Sequence, residues 1–158
     1  MSISKIKKDG YIFLKKSIYL MINMSEKKPK LKGFARTIGK SIESVKNTEE
    51  CKFIIKGIKT RVVFNCLDGK WAALITIKDD NISVEGIKNT PKKNLSRKNL
   101  YWWGYFEAKL EDFLKAGGWK TGKWLIKMAG GKVKGPSQIS IIAEILRLAR
   151  AEKSPSST

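Results

Sequence analysis

The residues that do most enzymatic chemistry are scarce in this chain. It contains no histidine, which removes the commonest general base and the commonest transition-metal ligand together. Zinc sites, Ser-His-Asp triads and Cys-His dyads are excluded on that ground. The two cysteines, Cys51 and Cys66, are too few for a disulfide scaffold and do not form a C-x-x-C pair. Asp79, Asp80 and Asn81 cluster, but the spacing and terminal glutamate of a calcium loop are missing, so the expectation there is a turn. Carboxylate, lysine or tyrosine chemistry survives elimination, and no spacing in the sequence favours it. The chain reads as a non-enzymatic binding protein needing no metal and no cofactor.

What remains suited to recognition is charge and aromatic surface. Thirty-three Lys and Arg against fourteen Asp and Glu leave a formal net charge of +19, a field that attracts nucleic acid, anionic membranes or acidic proteins. Arginine occurs only at positions 36, 61, 97, 147 and 150, whereas bidentate grips on phosphates and bases favour the guanidinium. A Lys-, Ile- and Asn-rich composition also accounts for the charge as a solvated surface. The most one-sided stretch carries Lys115, Lys120, Lys123, Lys127, Lys132 and Lys134 without an acidic residue before Glu144, and is the candidate surface for a membrane or polyanion. Tyr101, Trp102 and Trp103 offer three readings: base stacking, with Arg97 and Lys98 upstream; a membrane-interface or ligand-mouth contact; or packing.

At 158 residues the chain is one domain long, and a hydrophobic fraction of 42% suffices for a core. No apolar run approaches the length of a membrane-spanning helix. A basic segment followed by a short apolar one at the N-terminus faintly resembles a signal peptide, but no small-residue cleavage site follows, and the expected location is cytoplasmic. Residues 1–32 read as a basic extension ending in the linker-like run Ser25 to Lys30. Two readings of its first part stay open, a short amphipathic helix or sequence upstream of a start at Met24. Residues 33–151 form the expected folded domain, and 152–158 a disordered tail.

Within the domain, Phe34, Ile38, Ile42 and Val45 predict a helix, broken by residues 47–52. Strand signals begin at Ile54-Ile55. Thr60 to Leu67, the hairpin pair Asp68-Gly69, Lys70 to Lys78, a turn at Asp79-Asp80-Asn81 and Asn81 to Gly86 predict an antiparallel meander. A polar loop over 89–99 leads to an expected fourth strand, Leu100 to Ala108. Leu110 to Ala116 predicts a short helix with Leu110, Phe113 and Leu114 inward, and Trp119 to Met128 a second helical piece. Lys132-Val133-Lys134 predicts a short strand closed by Gly135. A last helix follows Pro136, with Ile139, Ile142, Ala143, Leu146 and Ala149 on one face.

This order of elements resembles the sterol carrier protein type 2 family, over about residues 34 to 150. Three pieces carry the resemblance: Asp68-Gly69 before the strand with Trp71; Leu110, Asp112-Phe113-Leu114 and Gly117; and Lys132-Val133-Lys134-Gly135 before the last helix. The chain departs from the family pattern at Pro136, where Asp or Asn is usual, and in the aromatic run Tyr101 to Phe106. The resemblance implies an α+β fold with a roughly five-stranded, mainly antiparallel sheet covered on one face by helices. It also implies an apolar tunnel between sheet and helices that takes a fatty acyl chain, sterol or phospholipid. The expected lining residues are Phe64, Trp71, Phe113, Leu114, Trp124, Leu125, Ile139, Ile142 and Leu146, each of which ordinary core packing would explain equally well. The alternative function is that of a small basic nucleic-acid-binding protein.

Overall fold

A computed structural model of the chain describes residues 30–115 and 132–153. The first helix, α1 (Gly33–Val45), turns Phe34, Ala35, Ile38, Ile42 and Val45 inward along one stripe. The helix breaks after Val45, close to the expected residues 47–52, and the later part of that stretch starts a second helix, α2 (Glu49–Ile55). Thr48 caps it by accepting the Cys51 N–H at 3.2 Å, and Glu49 and Glu50 place negative charge on its first turn. Ile54-Ile55, expected to begin the strands, thus belong to a helix.

Three strands follow: β1 (Thr60–Cys66), β2 (Trp71–Lys78) and β3 (Asn81–Lys88), joined as an antiparallel meander. Asp79 and Asp80 both take positive φ, 52° and 57°, as the tightest hairpin turn requires. The segment from Asn89 then crosses back over the sheet through a 3-10 turn (Lys92–Leu95) and a single helical turn, α3 (Arg97–Leu100). The fourth strand, β4 (Gly104–Ala108), pairs parallel to β1. It is shorter than expected because Ser96 caps α3 and Tyr101 ends it in the left-handed region, so Leu100 to Trp103 cannot run extended. Helix α4 (Leu110–Lys115), strand β5 (Val133–Lys134) and helix α5 (Pro136–Lys153) complete the described fold.

The protein is α+β, with a five-stranded mixed sheet in the order β3-β2-β1-β4-β5. Only the β1–β4 pairing is parallel; the other three are antiparallel. Strand alternation divides the core in two. Val62, Phe64, Ala73, Ile75, Ile77 and Phe106 face α1, α2, α4 and α5, where Ile139, Ile142 and Ile145 are fully buried. Val63, Ala72, Leu74 and Tyr105 face the other way, under Leu95 and Trp102 of the crossing segment. Gly135 lies directly against the start of β4. Its φ is +64°, and a Cβ there would lie 2.1 Å from the Trp103 carbonyl oxygen, so only glycine lets β5 turn into α5 this close to β4. Among the described residues no helix is long and apolar enough to cross a membrane.

Candidate functional site

The helix-covered face holds most of the described residues expected to line a tunnel. Phe64, Phe113, Ile139 and Ile142 are buried in one cluster, with Leu146 half-buried against it. Four rings meet at its centre. Phe113 lies 4.7 Å from Phe34, 5.8 Å from Phe64 and 5.0 Å from Phe106 between centroids. Three of these rings are held by firmly anchored elements, Phe34 on a 13-residue helix and Phe64 and Phe106 on paired strands. Phe113 sits on the six-residue α4, whose start is fixed by Asp68 accepting the Leu110 N–H at 2.8 Å. That backbone N–H, with the Cys66 thiol next, holds the Asp68 carboxyl below the usual carboxylate range. Leu110, expected inward, stands at the first position of α4 and is 42% exposed. Trp71 is half-buried at the edge of this face, stacked near the start of α1 with Lys32 and Lys88 over its ring. The side chains of Leu114 and Lys115, and residues Lys120, Lys123, Trp124, Leu125, Lys127 and the expected helix over 119–128, lie outside the described residues.

The opposite face carries a polar cluster that sequence patterning missed. Glu107 is 4% exposed. Its carboxylate accepts the Tyr105 hydroxyl at 2.6 Å and the Asn65 amide at 3.2 Å. Lys132 and Lys92 reach the same carboxylate from outside, at 3.2 and 3.5 Å. Burial pushes the Glu107 carboxyl upward, but the hydrogen bonds from Tyr105, Lys132 and Asn65 and the charge of Lys92 outweigh it, holding it below the ordinary value. Burial, then the neighbouring carboxylate, drives the Tyr105 phenol strongly upward. The phenol therefore stays protonated and donates; it is not a base. Asn65 is tied in turn to Asn89, whose amide donates to Asn65 Oδ1 at 3.0 Å and to the Gly69 carbonyl at 2.8 Å. This pins the crossing segment to the β1–β2 hairpin.

Lys132 and Lys134 thus belong to the face away from the helices. The Tyr101–Trp103 run divides by exposure. Trp102 is buried, its indole N–H donating to the Leu95 carbonyl at 2.8 Å, while Tyr101 and Trp103 are 68% and 49% exposed. The one sequence signal for the buried cluster is the alternation of Tyr105 and Glu107 on a strand, which puts both on one face; nothing local pairs them with Asn65 or Lys92. Comparison with protein-family models, curated proteins and solved structures finds no match to this chain.

Proposed function

We propose that the protein is a cytoplasmic, non-enzymatic binding domain of the sterol-carrier kind, which takes up an acyl chain or similar amphiphile between its sheet and its helices. The observation that carries this reading is the four-ring cluster beneath the helices, closed by a ring on a short helix. Of the four rings only Phe113 moves with α4, while Phe34 stays on a 13-residue helix and Phe64 and Phe106 stay on hydrogen-bonded neighbouring strands. The space gained is apolar on all the described sides, and each methylene buried there contributes about 0.8 kcal/mol. Support also comes from the sheet of five strands with helices packed against one face, which the resemblance implies. Exposed Tyr101 and Trp103 beside Lys59, Arg61 and Lys78 suit contact with an anionic membrane during uptake or release.

Native mass spectrometry of the purified protein, followed by solvent extraction, tests the reading. A stoichiometric amphiphile, or uptake of added fatty acid or acyl-CoA with weak salt dependence, is the expected result. An apo mass unshifted by either ligand overturns it. Binding to RNA that falls steeply with salt would favour the nucleic-acid alternative instead.

A further inference from the structure

On the face of the sheet away from the helices, the crossing segment and β5 border a half-open cleft of about 490 Å³. Its inner wall is mostly apolar. Trp102 and Tyr105 pack at 5.2 Å between centroids, and Leu95 and Val133 extend the surface. Its rim is cationic. Lys92, Lys132 and Lys134 all line it, and Arg97 lies over the Trp102 ring at 5.8 Å. Behind the wall stands one carboxylate, Glu107, so three lysines against one acid leave an excess of two positive charges, before Arg97 is counted.

We infer that this cleft is a second binding site, for a small organic anion that carries a flat apolar body. The body lies on Trp102 and Tyr105, and the carboxylate or phosphate meets the lysines. The buried Glu107 acts as a positioning residue. It draws Lys92 and Lys132 to the same oxygen, Oε1, at 3.5 and 3.2 Å, which brings two ammonium groups from separate segments to one place. Each ammonium has three donors, and Glu107 occupies one, leaving donors for a ligand. The volume lies within the range of small-molecule sites. None of the four rings beneath the helices lines the cleft, and Val133 is the one lining residue that packs against their cluster.

The test is calorimetric titration of the full-length protein with four probes: 1-naphthoate, 1-naphthyl phosphate, 1-naphthylmethanol and inorganic phosphate. At least one naphthyl anion should saturate a single site and shift the Trp102 indole N–H resonance. It should bind at least tenfold more tightly than either the neutral naphthyl alcohol or inorganic phosphate, a difference of about 1.4 kcal/mol. Preference between carboxylate and phosphate identifies the anion. The double variant Lys92→Gln, Lys134→Gln, at two exposed positions, should keep its thermal midpoint and lose affinity about tenfold. A Lys98→Gln variant should bind as the parent does. Saturation with 1-decanol should leave naphthyl-anion binding in place; displacement would put the probe beneath the helices and overturn the inference. Absence of saturable binding at millimolar concentration, equal affinity for the alcohol or for inorganic phosphate, or a double variant that binds as tightly as the parent would each overturn it too.

Discussion

Replacing Glu107 by alanine removes the acceptor on which a buried cluster converges. The Tyr105 hydroxyl at 2.6 Å donates to an ionised group, an interaction worth about 1.5–3 kcal/mol net, and the Asn65 amide at 3.2 Å adds a weaker one. Loss of a buried ion-pair partner can reach about 3–5 kcal/mol, but that range applies to cations left stranded in the interior. Lys92 and Lys132 are more than half exposed and return to water. The neighbouring cleft also lets water reach the orphaned hydroxyl. The expected cost of Glu107→Ala at neutral pH is therefore about 2–4 kcal/mol, or a fall of about 10 °C in thermal midpoint for a domain of this size. Glu107→Gln, which keeps an acceptor for Tyr105, should cost about half as much.

Urea unfolding followed by tryptophan fluorescence measures both variants, with an unchanged denaturant slope as the condition for comparing midpoints. The pH dependence is a separate check. Because the folded-state pKa of Glu107 is held below the ordinary 4.5, its contribution is fully present above that value and is lost as pH falls through the folded one. The gap between parent and variant should hold constant from about pH 6 to 8 and narrow below about pH 4. A cost under about 0.5 kcal/mol, or a gap that does not close in acid, refutes the assignment of the cluster as a charged, stabilising unit.

Phe113→Ala should destabilise the protein by about 3 kcal/mol in urea unfolding, since three rings lose a partner; it should also speed uptake of a fatty acid in stopped-flow fluorescence, and unchanged uptake would count against α4 as the moving part. Gly135→Ala should lower the thermal midpoint sharply, at a cost of at least about 2 kcal/mol, because the new Cβ meets the Trp103 carbonyl at a positive φ; a variant as stable as the parent would show that β5 can shift freely. Burial, then Asp68, raises the Cys66 thiol to about 11, and burial also raises Cys51. Both cysteines should therefore resist iodoacetamide at pH 8 in the folded state and react once urea unfolds the chain, as intact mass would report.

The periodicity of α1, the Asp68-Gly69 hairpin, the alternation of β1 and β2, and the apolar stripe of α5 were legible because each is a local pattern with a period set by backbone geometry. Two local signals were present and outweighed. Thr48-Glu49-Glu50 is a helix start that the polar run around it concealed, and Ser96 caps a helical turn inside the expected polar loop, whose end at Tyr101 delays the aromatic strand. The burial of Phe64, Phe113, Ile139 and Ile142 followed from hydrophobicity, yet hydrophobicity alone gives the same pattern for a filled core and for the wall of a tunnel.

Composition dictated that catalysis by histidine is excluded and that the chain carries a large positive charge, and local periodicity dictated that the fold mixes helices with a meander. The partnership of Asn65, Tyr105, Glu107, Lys92 and Lys132 was decided by tertiary structure. It depends on β4 lying parallel to β1, a pairing between residues about forty positions apart, and on β5 bringing Lys132 to the outer edge. The same pairing sets one cationic cleft on the face under the crossing segment and one aromatic cluster beneath the helices. Strand alternation assigns each side chain to a face, but which residues meet across strands is fixed only when the sheet closes.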